Sequence, residues 1–359
     1  MTRTVLSVVG ARPQFVKAFP VSAALQEVHD EILVHTGQHY DSELSGVFFD
    51  ELAISEPAYN LGVGSGTHAR QTAAVMRHLD PVVATEDPDV VLVYGDTNST
   101  LGAALVAAKR DCMLGHVEAG LRSGNWEMPE EINRVLTDHC SDFCFAPSAQ
   151  AVDTLAAEGI TEGVVETGDV MYDALLAVRE RVIEESTVLD RVGYDDGEYV
   201  LATVHRAGNT DDPSRLTNIV EGLADGPLPV ILPAHPRTLA ALKREGLLRA
   251  VREQFEVIDP VGYLDFLRLI IGAERVATDS GGVQKEAFYL DTPCVTLRDE
   301  TEWVETVESG WNVLVGADPA TIQNGLTHTF DTSVKPEPYG DGSAAEQIVA
   351  AIASEASRQ

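Results

Sequence analysis

Short runs rich in Val, Leu and Ile recur along this chain, each followed by a polar or glycine-bearing loop and then, repeatedly, by apolar residues at helical spacing. The runs do not alternate apolar with polar. A strand apolar on both faces belongs to a parallel sheet covered by helices on either side. Val5–Val9 leads into Gly10-Ala11-Arg12-Pro13, after which Phe15, Val16, Phe19, Val21 and Leu25 recur as a helix would place them, with Pro13 suited to its first turn. Glu31–His35, Asp89–Tyr94, Met113–Val117, Phe143–Ala146 and Val164–Thr167 continue the series. Tyr199–Thr203, Val230–Leu232, Phe255–Ile258, Arg275–Thr278 and Pro293–Leu297 repeat it in the second half. The expected fold class is α/β, with two Rossmann-like, doubly wound parallel-sheet domains facing each other across a cleft.

A length of 359 residues also favours two domains. The charged, glycine-bounded stretch 179–197 marks the junction, giving domains 1–178 and 179–345 and a final helix, 346–359, that could pack on either. The chain carries 57 acidic against 25 basic side chains, a formal net charge of -32, spread over its whole length. That is the solvated surface of a salt-adapted protein rather than an acidic tail, and it excludes general nucleic-acid or anionic-membrane binding. No apolar run approaches a membrane span, and four cysteines are few, so a cytoplasmic protein with reduced thiols is expected. His139, Cys140 and Cys144 lack a second ligand pair, so no metal is expected.

Chemistry-bearing residues stand where strands end. Asp279-Ser280-Gly281-Gly282 follows a strand and opens a helix, which presents backbone N–H groups to an anion with no Cβ in the way. Arg12, Lys17, Arg134 and His205 supply further positive or hydrogen-bonding groups for a diphosphate. Asp96, Glu118 and Glu130 bring carboxylates to the same expected cleft. An anion seat facing acids suits a phosphorylated sugar undergoing acid/base chemistry. Each acid also has a structural reading: Asp96 as a helix N-cap, Glu130 as the partner of a helix dipole. Glu118, in a Val-Glu-Ala-Gly turn, and His205, beside Arg206, have less structural excuse.

Eight motifs in order carry a resemblance over nearly the whole chain: G-A-R-P-Q-F-V-K at Gly10, T-G-Q-H at Thr36, G-D-T-N-S-T at Gly95, H-V-E-A-G-L-R at His116, P-E-E-I-N-R at Pro129, T-G-D-V-M-Y-D at Thr167, H-R-A-G-N at His205 and D-S-G-G-V-Q-K-E-A at Asp279. With them the sequence resembles the non-hydrolysing UDP-N-acetylglucosamine 2-epimerases, which share the two-domain GT-B fold. The resemblance implies a UDP-sugar substrate, no metal or nicotinamide cofactor, and a homodimer. It implies proton transfer at C2 by Asp96, Glu118 and Glu130 while the C1–O bond to UDP breaks, giving a 2-acetamidoglucal to which UDP adds back. His205 joins these acids as a catalytic candidate through the leaving diphosphate, which it would hold with Arg12 and the N–H groups of Ser280, Gly281 and Gly282. Lys17 and Arg134 count with the UDP-binding set, and Glu286 would accept from ribose hydroxyls.

The sequence departs from the family pattern at Gly208, where many members have Glu, and at Trp303-Val304, where many have Arg-Pro. The second departure leaves open relatives that act on UDP-2,3-diacetamido uronic acids. Gln38-His39-Tyr40-Asp41 matches only the first half of a segment tied to allosteric activation in bacterial members, so that property is not carried over. A hydrolysing epimerase, a GT-B glycosyltransferase and a non-catalytic UDP-sugar-binding protein remain alternatives. The three acids weigh against the last.

Overall fold

A computed structural model describes residues 2–38, 56–333 and 335–354, without the side chain of Arg12. The chain divides into two compact units, one made of 1–177 with 337–359 and the other of 178–336. His39, Tyr40 and Asp41 lie outside the described residues.

In the first unit β1 (Thr4–Val9), β2 (Asp30–His35), β3 (Tyr59–Asn60), β4 (Val90–Tyr94), β5 (Met113–Val117), β6 (Phe143–Ala146) and β7 (Val164–Glu166) form one sheet in the order β3-β2-β1-β4-β5-β6-β7, with every pair parallel. The central β4, Val-Val-Leu-Val-Tyr, is buried at every position, as a run apolar on both faces requires. Helices Arg12–Val28, His68–Glu86 and Asn98–Ala107 belong to this unit, and Leu79, Val83, Ala103 and Ala107 pack with Leu6, Val8, Val91 and Val93. The late helix Ala344–Ser354 packs on Arg12–Val28, and its start is tied down by Asp173, whose carboxylate accepts the Ala345 N–H at 2.7 Å.

The second unit repeats the plan with β8 (Val200–Thr203), β9 (Val230–Pro233), β10 (Phe255–Ile258), β11 (Arg275–Thr278), β12 (Cys294–Thr296) and β13 (Asn312–Leu314), ordered β10-β9-β8-β11-β12-β13 and again all parallel. Its core joins Val200, Ala202, Ala277 and Val295 of the strands to Leu216, Ile219 and Ile322 of the helices. Both sheets are doubly wound: the order reverses between β1 and β4 in one and between β8 and β11 in the other. Loops leaving such neighbouring strands part in opposite directions and open a crevice at the carboxyl edge.

Candidate active site

At the first switch point one buried amide ties the two strand ends together. Gln14 donates from Nε2 to the Tyr94 carbonyl at 2.6 Å and to Thr100 Oγ1 at 2.9 Å, while its Oε1 accepts the N–H groups of Gly10 and Ala11 at 2.8 and 3.0 Å. A Cβ at Gly10 would stand 2.2 Å from both Ser99 Oγ and Thr36 Oγ1, so glycine alone lets these loops close. Arg12 opens the following helix.

Asp96 follows β4 but caps nothing. Thr97 is the N-cap of Asn98–Ala107, accepting from the Thr100 N–H, which removes the capping explanation for Asp96. Its carboxylate instead receives Arg134 Nη2 at 2.5 Å, and its carbonyl receives Asn133 Nδ2 at 2.9 Å. Arg134 also donates to Glu131 at 2.9 Å. Burial pushes the Glu131 carboxyl up, but the N–H groups of Ser123 and Gly124, the Ser123 hydroxyl and Arg134 outweigh it and hold the group below the usual range.

Glu118 has φ 72°, a left-handed conformation that costs a non-glycine residue about 1–3 kcal/mol. The Phe145 carbonyl pins it there by accepting both the Glu118 and Ala119 N–H groups, at 3.1 and 3.0 Å. Its side chain is buried and ion-paired with Lys17 of the first helix. A Cβ on Gly95, itself at φ 61°, would sit 3.2 Å from both Glu118 Oε2 and Lys17 Nζ, so the Lys17–Glu118 pair abuts the turn that carries Asp96. Glu130 stays apart from this cluster. It lies half-exposed in the first turn of helix Pro129–Cys140, favourably placed for the helix dipole, with no hydrogen bond or ion pair among the described residues.

The second switch point uses its acid differently. Asp279, 0 % exposed at the end of β11, accepts the N–H of His205 at 3.1 Å to each oxygen, the N–H of Arg206 at 3.0 Å and Asn209 Nδ2 at 3.1 Å. The carboxylate thus fixes the loop leaving β8. Ser280 caps helix Gly281–Tyr289 through Oγ, at 3.5 Å from the Val283 nitrogen, and the first-turn N–H groups of Gly281 and Gly282 have no acceptor within the helix. A Cβ on Gly281 would fall 2.5 Å from Glu302 Oε1. Glu302 meets Arg298 at 2.9 Å and Arg206 at 3.7 Å; burial pushes its carboxyl up, yet Arg298 foremost, then its own backbone N–H and Arg206, bring it below the usual range.

The His205 ring, 45 % exposed at its side chain, stands 3.8 Å from Asp279 Oδ1. Desolvation by the surrounding loops holds it below the ordinary histidine value against the pull of Asp279, with His235, Arg206 and Arg237 adding to the lowering. Glu286 is buried further along the same helix as Gly281. At the departure noted above, Trp303 offers its ring to buried Lys285, whose Nζ lies 3.9 Å from the ring centroid.

The structure therefore groups Lys17 with Glu118 and Arg134 with Asp96, so these two of the groups assigned to the diphosphate are engaged by carboxylates of their own unit. It groups His205, Ser280, Gly281 and Gly282 around Asp279 in the other unit. Gln14, Glu131 and Asp279 escaped the sequence reading as site residues. Asp279 left a signal, an acid directly ending an apolar strand. Among the described residues no group of three His, Cys, Asp or Glu side chains is arranged to hold a metal ion, and no helix is long and apolar enough to cross a membrane.

Residues 23–353 match the family model described as UDP-N-acetylglucosamine 2-epimerase. The chain belongs to that family. Its relatives include a protein of Methanococcus maripaludis named as a UDP-N-acetylglucosamine 2-epimerase homolog, 45 % identical over 96 % of this chain and 98 % of the relative. A UDP-2,3-diacetamido-2,3-dideoxy-D-glucuronate 2-epimerase of Pseudomonas aeruginosa is 46 % identical over 97 % of this chain and 99 % of its own. Among solved structures, the UDP-GlcNAc 2-epimerase of Methanocaldococcus jannaschii in complex with UDP-GlcNAc and UDP aligns with a TM-score of 0.88 at 41 % identity, covering 98 % of this chain and 99 % of that one. Within the epimerase family the two-sheet α/β fold is thus shared.

Proposed function

We propose that this chain interconverts UDP-N-acetylglucosamine and UDP-N-acetylmannosamine without hydrolysis. The observation that carries the reading is Glu118: an acid held buried and left-handed against Lys17, beside the turn bearing a second acid, Asp96. A purely structural turn would take glycine there and avoid both costs. C2–H is a poor acid, so departure of UDP from C1 must supply much of the driving force, and the N–H groups of Ser280, Gly281 and Gly282 with Arg12 and His205 suit the developing diphosphate charge. Inversion at C2 requires proton removal on one face and return on the other, which suits a set of acids comprising Asp96, Glu118 and Glu130. Lys17 holds Glu118 and Arg134 holds Asp96, and Glu286 is assigned to the ribose.

Proton NMR of the protein with UDP-N-acetylglucosamine in D2O at high salt tests this. The expected result is deuterium at C2 and an intact mixture of two UDP-sugars. Free sugar with stoichiometric UDP would show a hydrolysing epimerase, and inert substrate a transferase or another sugar. The diacetamido uronate is the second reading, favoured by the Pseudomonas relative's 46 % identity. A higher kcat/KM on that uronate than on UDP-N-acetylglucosamine would establish it. The reading extends to a cytoplasmic homodimer supplying precursors for polysaccharide synthesis. The net charge of -32 supports a salt-adapted protein, whose melting temperature should rise as KCl is increased.

A further inference from the structure

Behind both acid-bearing turns runs a chain of charged groups that the proposed chemistry does not use. His116 sits in β5 with its ring fully buried. Its Nε2 is 2.7 Å from the Gly95 carbonyl oxygen and its Nδ1 is 2.6 Å from Asp138 Oδ1. Burial pushes the Asp138 carboxyl up, but His116 and Arg122 outweigh it and keep the group ionised. The ring thus bridges the Asp138 carboxylate and the Gly95 carbonyl, one nitrogen to each. The second Asp138 oxygen accepts the Gly120 N–H at 3.1 Å and meets Arg122 Nη1 at 2.7 Å. Arg122 continues to Glu158 at 2.8 Å, and Glu158 to the half-exposed His139 at 3.4 Å. From β6, Cys144 places its Sγ 3.7 Å from the Asp138 carbonyl oxygen.

We propose that His116 and Asp138 are a positioning pair that sets the placement of Asp96 relative to Glu118. The inference rests on the assignment of those two acids to proton transfer at C2. The Gly95 carbonyl belongs to the peptide that precedes Asp96, and the Gly120 N–H lies two residues past Glu118. Gly95, Glu118 and Gly120 have φ of 61°, 72° and 83°, so these turns leave regular strand geometry where the pair grips them. One rigid ring and one carboxylate therefore span both. Burying so polar a pair is costly, and an apolar side chain would serve the core at least as well. The turn geometry is what the pair secures.

The test compares wild type with His116→Gln, which keeps a donor but loses the rigid two-ended span. Both are assayed for kcat, KM, UDP affinity and melting temperature, and for C2 deuterium in recovered substrate and product. With two acids misplaced by a fraction of an ångström, kcat should fall about 100-fold, while KM and UDP affinity stay within about threefold. The ratio of deuterium washed into unepimerised substrate to epimer formed should rise, because one acid still removes and returns the proton on its own face. Asp138→Asn, which removes the anion from the other end, should raise the same ratio and decides the matter if His116→Gln does not fold. An active wild type with unchanged kcat and ratio in the folded variant overturns the positioning role. So does a parallel loss of kcat, substrate affinity and melting temperature at an unchanged ratio. A wild type that epimerises no UDP-sugar overturns the parent reading, and this role with it.

Discussion

The two switch points share a topology and follow opposite charge plans. In the first unit the acids Asp96 and Glu118 stand at the strand ends, and each is met by a cation, Arg134 or Lys17, drawn from a neighbouring helix. In the second the strand-end acid, Asp279, is turned inward onto the N–H groups of His205 and Arg206 and the Asn209 amide, and the first-turn N–H groups of the next helix have no acceptor within it. Topology supplies the place. On the proposed reading, the contacts of the acid past the strand decide whether that place presents a proton carrier or receives a negative charge.

Exchanging the roles experimentally should break the two sides in different ways. Glu118→Gln is expected to abolish epimerisation, by about 1000-fold or more, with UDP affinity within about twofold; retained turnover would remove Glu118 from the catalytic set. Lys17→Met removes a cation paired with the buried Glu118 carboxylate, and urea unfolding should show a loss of about 1.5–3 kcal/mol. No measurable loss would mean that the pair does not stabilise the fold. On the other side, Gly281→Ala puts a methyl 2.5 Å from Glu302 Oε1. The UDP dissociation constant, followed by calorimetry, should rise about tenfold, a shift of about 1.4 kcal/mol. Loss of turnover at unchanged UDP affinity would contradict the division of labour.

The smallest effect concerns acid. Glu302 has a folded pKa below its ordinary value of about 4.5, so its contribution to stability is fully present above that pH and is lost as pH falls through the lowered value. Arg298→Met should therefore melt lower at pH 7 and show a shallower decline below pH about 4.5. Parallel melting curves for variant and wild type would remove Arg298 as the cause.

How legible this was in the sequence follows from the range of the interactions. Val90–Tyr94 and Val200–Thr203 declared themselves because burial on both faces writes a continuous apolar run. Tyr59–Asn60 and Asn312–Leu314 did not, since so few residues carry no period. The apolar residues Leu269–Gly272, just ahead of the strand Arg275–Thr278, end helix Tyr263–Gly272, a boundary that apolar composition alone does not mark. The glycines at Gly10, Gly95 and Gly281 were legible because a tight loop is a local matter. Asp279 reaches His205 across 74 residues, and Asp138 reaches His116 across 22. No local pattern announces such partners, and these are the residues that fix the geometry.

The packing of helix Ala344–Ser354 on Arg12–Val28 has a consequence for biosynthesis. The segment 178–336 is an insertion between two parts of the first unit. On a ribosome it emerges whole, with its own sheet and core, while the first unit still lacks the helix that buries Ile348 and Ile352. The unit that holds Asp279 is complete once residue 336 has emerged; the unit that holds Asp96 and Glu118 must wait for helix Ala344–Ser354.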